Sequence, residues 1–377
     1  MDHLSDDAQP VRPAYGGPCI DSLVPALMAA AGERPGWLPF PARAAAQVVL
    51  LVLDGLGWDQ LQARRDLAPT LAAMAGGPIT SVAPTTTATA LTSIALGQAP
   101  AAHGIVGYRL RVAGPTGAEV LNVLRWRTAS GDARPFVPPR EFQPQPAFGG
   151  RPVPVVTKAE FQTTGFTIAH LSGGRPEGWW LPSGIAVEVG RLLAGGEPFV
   201  YTYYDGIDKA AHIHGFGAHY DAELVAADRL VADLRAALPA GAVLVVTADH
   251  GQVVVGDAVI ALAPSLAAEI EMVSGEGRFR WLHARPGRAA ALAAEARLLY
   301  GLDAWVWTVD ELDSGGWFGG ALKPVVRARL GDVALVPFAP VAYADPADTG
   351  DARLVCRHGS LTAAEMLVPC LAALPLG

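Results

Sequence analysis

Two of the chain's nine histidines fall within thirteen positions, in the stretch YYDGIDKAAHIHG from Tyr203 to Gly215. Asp208 and His212 are four residues apart, so on a helix they share one face. A carboxylate and an imidazole projecting together suit a zinc-like ion, and they suit a solvated salt bridge as well. Two further acids close apolar runs. Asp54 follows the run in AAQVVLLVLDGLG, and Asp249 follows the one in GAVLVVTADHG, where His250 comes next. His358 stands in CRHGS near the C-terminus, in a segment read as a loop. Three aspartates and three histidines make six hard-to-borderline ligands, enough for two zinc-like ions with a position left open for substrate. One acid at a strand end has a simpler explanation as a helix N-cap; three such ends, two with histidine partners, are harder to explain that way.

A nucleophile is sought in TSVAPTTTATALTSIALG, Thr80 to Gly97. Thr85, Thr86 and Thr87 follow a proline and open a segment of helical character. A hydroxyl and unpaired backbone N–H groups at a helix start make a seat for a phosphate oxygen. A threonine hydroxyl is inert at its free pKa, and a metal is one means of activating it. Ordinary Ser/Thr capping explains the same three residues.

The elements that must position these groups are apolar runs without alternation. VVLLVL, VYTYY and AVLVVT read as strands buried on both faces, the pattern of a parallel sheet. Helical segments lie between them, among them DSLVPALMAAAG and YDAELVAADRLVADLRAAL. Alternating strands and helices predict an α/β fold, a doubly wound and mostly parallel central sheet with helices on both faces. Ligand groups then gather at the carboxyl ends of the strands, whatever their distance in sequence. Residues 1–20 read as an arm and 21–377 as one domain. A Pro- and Gly-rich segment at about 110–160 is expected to form a cap over the site. A second, smaller insertion is expected at about 261–330, containing strand-like RFRWLHAR and AWVWTV around a helix. The closing segment LTAAEMLVPCLA reads as a helix, and His170 and His283 as residues of ordinary strands.

Bulk properties set outer limits. Hydrophobic residues make up 51% and charged residues 17%, which fits a substantial core. The formal net charge is -8, without a basic tract to follow a phosphate backbone, so nucleic-acid scaffolding is disfavoured. Three cysteines do not suggest a disulfide framework. The acidic start MDHLSDDAQ is not a secretory signal, and the apolar runs are too short to span a bilayer. A cytoplasmic protein without membrane attachment is the expectation.

In this order, from Val48 to Val368, the motifs VVLLVLDGLG, PTTTATALTSIALGQAPAAHGIVG, DKAAHIHG, TADHG and HGSLTAAEMLVP resemble the alkaline phosphatase superfamily, and within it the type I phosphodiesterase/nucleotide pyrophosphatase branch. The resemblance implies that Thr87 is the nucleophile, three residues after Pro84 and ten before Gly97. It implies that Asp208, His212 and His358 hold one divalent ion and Asp54, Asp249 and His250 a second, most readily zinc, with manganese or iron as alternatives. Asp205, with Lys209 and not an imidazole four residues on, is the poorer ligand candidate. His103 is expected to be structural, and His214 to lie outside the ligand set. Relatives usually place an asparagine five residues after the histidine of the HG motif, to hold a phosphoryl oxygen. Here that position is Tyr108, whose hydroxyl could donate the same bond, with Arg109 adding charge.

The resemblance further implies a phosphoric ester hydrolase that attacks a small phosphorylated substrate, such as a nucleotide, through a phospho-threonine intermediate. A phosphomonoesterase or phosphonate hydrolase on the same site is the enzymatic alternative. A binding or sensor protein that kept the fold is the alternative of another class. Sulfatase chemistry would want a C/S-x-P-x-R motif, whereas TATAL follows here. Oligomeric state is open.

Overall fold

The computed structural model describes residues 9–348, 350 and 353–376. Residues 1–8 of the expected N-terminal arm lie outside the described residues. The rest of the arm runs along the domain: the Val11 N–H donates to the Leu361 carbonyl at 2.8 Å, and the Tyr15 hydroxyl to the Trp317 carbonyl at 2.9 Å.

A seven-stranded sheet organises the molecule. From edge to edge its strands are Ala75–Thr80, Leu367–Ala373, Ala242–Thr247, Gln47–Leu53, Phe199–Tyr204, Pro154–Lys158 and Arg175–Trp179. All run parallel except Leu367–Ala373, which is antiparallel to both of its neighbours. Every residue of Val48–Leu53, Phe199–Tyr204 and Ala242–Thr247 is buried. Side chains alternate faces along a strand, so burial at every position means that both faces are covered. The unalternating apolar runs in the sequence record this directly.

Packing makes the helices that carry function. Thr87–Leu96 is buried at all ten positions and lies against Ile20–Met28 and Gly165–His170. The long helix Ala218–Ala237 packs on Gly184–Ala194 and on Gly206–His214, which carries Asp208 and His212.

The expected cap and insertion have more structure than their composition suggests. Residues 109–132 form a four-stranded antiparallel sheet, beginning with the hairpin Arg109–Gly114 and Gly117–Asn122. Pro154–Lys158, placed inside the cap by composition, is instead an interior strand of the central sheet. The later insertion holds an antiparallel sheet of Ile270–Glu276, Phe279–Ala284, Val333–Pro337 and Ala304–Thr308, in that order, and the helix Ala289–Tyr300. One face of this sheet sends Phe279, Trp281, Ala334 and Val336 into the main core. The other packs Leu282, Val333 and Leu335 with Leu292 and Ala296 in a core of its own.

Two local expectations are corrected. The closing segment is helical only at Ala363–Met366, and Leu367–Ala373 is a strand. Pro369 cannot continue a helix, and the edges of Ala75–Thr80 and Ala242–Thr247 capture the chain instead. His170 ends a helix, whereas His283 lies on a strand as expected. No helix among the described residues is long and apolar enough to cross a membrane. The three cysteines are buried and unpaired.

Candidate active site

The site forms where the three central strands end. Asp54 directly follows Gln47–Leu53. Asp208 sits in the first turn of the helix that follows Phe199–Tyr204, and Asp249 and His250 lie just beyond Ala242–Thr247. These strands are adjacent in the sheet, so residues nearly 200 positions apart come together. Gly55 makes the turn possible. Its φ is +74°, and a Cβ there would lie 2.6 Å from Gln252 Nε2 and 3.0 Å from the Asp208 backbone.

Thr87 is the first residue of its helix, and Thr86 is the N-cap without a side-chain cap bond. Thr85 ties this turn to the C-terminal loop. Its N–H donates to the Gly359 carbonyl at 3.2 Å, and its hydroxyl to the Ser360 carbonyl at 2.6 Å. The Thr87 hydroxyl lies 3.1 Å from His250 Nε2. That nitrogen is 3.5 Å from Asp54 Oδ1 and 3.4 Å from Asp249 Oδ2. Donors about 2.0–2.1 Å from a tetrahedral ion stand about 3.3–3.4 Å from one another, so these spacings are those of a ligand set.

The hydrogen bonds around the acids leave one oxygen of each uncommitted. Asp249 Oδ1 accepts from the N–H groups of Gly55, at 3.1 Å, and His250, at 3.0 Å. The Tyr203 hydroxyl donates to Asp54 Oδ2. Asp54 Oδ1 and Asp249 Oδ2 are buried without a hydrogen-bond partner among the described residues. Burial, then the neighbouring Asp249 and Asp208, pushes the Asp54 carboxyl well above the usual range. Burial raises Asp249 too. Two buried carboxylates facing each other need a cation or a proton, and the donor set suits a divalent ion.

The histidines are oriented in one way. His212 Nδ1 donates to the Cys356 carbonyl at 2.7 Å, His250 Nδ1 to Gly251 at 3.1 Å and His358 Nδ1 to Thr85 at 2.9 Å. A carbonyl only accepts, so each ring carries its proton on Nδ1 and offers the Nε2 lone pair. Backbone bonds of this kind fix the tautomer of metal-binding histidines. The donor atoms of Asp208, His250 and His358 lie within 4.8 Å of one another, as do those of Asp54, Asp249 and His250. His250 therefore belongs to both groups, because its ring stacks on His358 with centroids 3.5 Å apart. His212 stands beside the first group, its Nε2 3.2 Å from Asp208 Oδ1. Burial opposes ionisation of Asp208, but positive charge placed at His212, His358 and His250 outweighs it and holds the carboxyl below the usual range.

The remaining sequence candidates are placed elsewhere. Neither Tyr108 nor Arg109 is among the residues lining the cavity at Thr87. The Tyr108 hydroxyl accepts from Asn122 Nδ2 at 2.6 Å, and the buried Arg109 pairs with Asp345 and, at 3.4 Å, with Asp348. Asp205 is held by Lys158 at 2.8 Å and Lys209 at 2.6 Å, which occupies it as an ion-pair partner. His103 accepts from the Ile105 N–H and bonds the Ser93 hydroxyl at 2.9 Å, a structural role. His214 stacks on His219, outside the ligand groups. The sequence reading missed Tyr203 and Gln252, which donates to Asp208 Oδ1 at 2.8 Å. Their only signal was proximity in sequence to Asp208 and Asp249.

A mostly parallel α/β sheet that gathers three acids, three histidines and a helix-start threonine at its strand ends defines a metal-dependent hydrolase site. Residues 48–300 match the type I phosphodiesterase/nucleotide pyrophosphatase family, and the chain belongs to it. The protein is a hydrolase acting on phosphoric ester bonds, in a family that is metal-dependent. Its fold is similar to murine ectonucleotide pyrophosphatase/phosphodiesterase 5, with a TM-score of 0.62, 15% identity and coverage of 87% of this chain and 88% of that one. An inactive threonine-to-alanine variant of that protein, in complex with AMP, matches at 14% identity with the same TM-score and coverage. Phosphonoacetate hydrolase from Sinorhizobium meliloti 1021, in complex with phosphonoformate, gives a TM-score of 0.63 at 20% identity, covering 92% of this chain and 93% of that one. No curated protein gives a significant sequence match.

Proposed function

We propose that the protein is a phosphodiesterase of the nucleotide pyrophosphatase type, with Thr87 as nucleophile and two zinc-like ions as cofactors. The observation that carries this reading is the Thr87 hydroxyl at a helix start, 3.1 Å from His250 Nε2 and beside two unpartnered carboxylate oxygens. Asp54, Asp249 and His250 would hold one ion, and Asp208, His212 and His358 the other. When bound, the ions supply Lewis-acid stabilisation of charge on the phosphoryl oxygens and lower the pKa of hydroxyl groups.

The chain's own residues do the rest. The helix start at Thr87 presents backbone N–H groups and the positive end of the helix dipole to a phosphoryl oxygen. Thr87 Oγ1 attacks phosphorus in line, and the leaving alcohol departs on the opposite side. Water then cleaves the phospho-threonine and restores the hydroxyl. The pairing of Thr85 with Gly359 and Ser360 holds the nucleophile turn and His358 in one frame, so both are in place before substrate arrives.

The test is a paired rate assay on zinc-supplemented protein with bis-p-nitrophenyl phosphate, a p-nitrophenyl nucleotide ester and p-nitrophenyl phosphate, with Thr87→Ala as control. A diester preference that falls at least ~10³-fold in the variant is the expected result. Preference for the monoester would reassign the site, and equal turnover by both proteins would remove Thr87 from the mechanism.

A further inference from the structure

We propose that the groove between the cap hairpin and the short helix Pro324–Arg327 binds an amphipathic monoanion, a carboxylate on an apolar body, with Arg329 receiving the carboxylate. None of the residues that line this groove lines the cavity at Thr87, so the site is separate from the phosphoryl-transfer centre.

Arg329 is a buried charge without a counter-charge. It is 8% exposed, and Arg109 and Arg278 are buried to a similar degree. Arg109 pairs with Asp345 and Arg278 with Glu365, whereas Arg329 forms no ion pair among the described residues. Its Nη1 donates to the Gly104 carbonyl at 2.6 Å and its Nη2 to the Phe142 carbonyl at 3.0 Å. Its Nε has no acceptor among the described residues. The guanidinium carbon stands 3.6 Å from the centroid of the Phe142 ring. Carbonyl dipoles and a ring face ease the burial of a cation without neutralising it. Burial pushes the guanidinium down to about 10, and no neighbouring acid among the described residues opposes the shift.

The groove beside it has the size and walls of a ligand site. Its volume is ≈ 650 Å³, inside the range of ~300–1,000 Å³ for small-molecule pockets. Val112, Phe136, Phe142 and Val325 line it, and Val325 is 63% exposed. An apolar body laid across these side chains removes their surface from water. The frame is held in advance, because the Arg111 N–H donates to the Arg329 carbonyl at 3.0 Å and ties the cap strand to this turn.

Charge selects the kind of anion. Arg111, Arg329 and Glu141 are the charged residues of the lining, and neither Arg111 nor Glu141 forms an ion pair among the described residues. Arg111 also lines a neighbouring groove with Glu271 and Asp332, but neither of those acids lines this one. Two cations and one carboxylate leave a single positive charge. A monoanion neutralises it, whereas a phosphate dianion would exceed it and meet Glu141. A guanidinium with an uncommitted N–H binds a carboxylate through short, charge-assisted hydrogen bonds.

Isothermal titration of the zinc-supplemented protein with 4-phenylbutyrate and with its neutral amide tests the site. The acid should bind with a dissociation constant on the order of 0.1–1 mM, at least ~10-fold tighter than the amide. Arg329→Gln keeps a donor for the Gly104 carbonyl but removes the charge, and should bring acid and amide to equal affinity. Val325→Glu changes an exposed side chain and so spares the fold. It should weaken the acid at least ~10-fold with the thermal melt unchanged. A carboxylate can also ligate zinc, so the titration is repeated on metal-free protein, where binding should persist. Equal affinity for acid and amide in wild type, an affinity unaltered by Val325→Glu, or binding that disappears with the metal would overturn the site. Inorganic phosphate should not displace the acid from metal-free protein, and displacement at matching concentrations would overturn the assignment to a carboxylate.

Discussion

Replacing Tyr203 by phenylalanine tests whether the acidic cluster is built for a cation. Among the described residues the Tyr203 hydroxyl is the single donor to Asp54 Oδ2 and Oδ1 has no partner, so the variant leaves a 2% exposed carboxylate without a donor from them. A hydrogen bond to a charged group contributes about 1.5–3 kcal/mol, which corresponds to about 10–150-fold in a dissociation constant. Loss of a residue that orients a metal ligand typically costs about 10–100-fold in affinity, so two estimates agree. The effect should fall on ion binding more than on folding. Without an ion, burial and Asp249 already oppose ionisation of Asp54, so the hydroxyl has less charge to stabilise. Chelator-competition titration of zinc should show the dissociation constant of the tighter affected site rising by roughly 10–100-fold, with circular dichroism of the metal-free protein unchanged. A constant within about threefold of wild type, beside a clear loss of metal-free stability, would make Tyr203 a packing residue and refute the reasoning.

Three further outcomes follow from the same geometry. Burial pushes the Glu276 carboxyl from 4.5 up to about 8, with Asp348 and Glu365 adding to it against Thr86 and Arg280. A folded-state pKa raised above the unfolded value gives stability that is complete below 4.5 and lost as pH rises through 8. Wild type should therefore lose, on the order of, a few kcal/mol relative to Glu276→Gln between acid and pH 9, read by urea unfolding; parallel profiles would contradict this. Arg278 and Glu365, both 0% exposed, form a two-pronged ion pair at 2.7 and 2.8 Å. Glu365→Ala should cost about 3–5 kcal/mol in the same assay, because it strands a buried guanidinium. Gly55→Ala should cost about 1–2 kcal/mol from its positive φ alone. It should also weaken the stabilisation by zinc in thermal melts, since the new Cβ would press on Asp208 and Gln252; a melt shift equal to that of wild type would count against this placement of Asp208.

Much of the framework was legible in the sequence because its physics is local. A strand buried on both faces must be apolar at every position, so VVLLVL and AVLVVT announced a covered sheet, and the acids at their ends marked where a site could form. The i,i+4 spacing of Asp208 and His212 predicted a shared helix face, and the structure places both in Gly206–His214 with 3.2 Å between them. The order of the motifs then pointed to the family. Tertiary structure alone decided the rest. That Pro154–Lys158 and Leu367–Ala373 are interior strands depended on neighbouring edges far away in sequence. That Arg109 is tied to Asp345, 236 residues on, could not be read from HGIVGYRLRV. Nor could the backbone carbonyls that turn three imidazoles inward, or the burial of Arg329 away from any carboxylate of the described residues. Periodicity and burial are written residue by residue, whereas the partner of a polar group is chosen by whichever distant segment the fold brings within 3 Å.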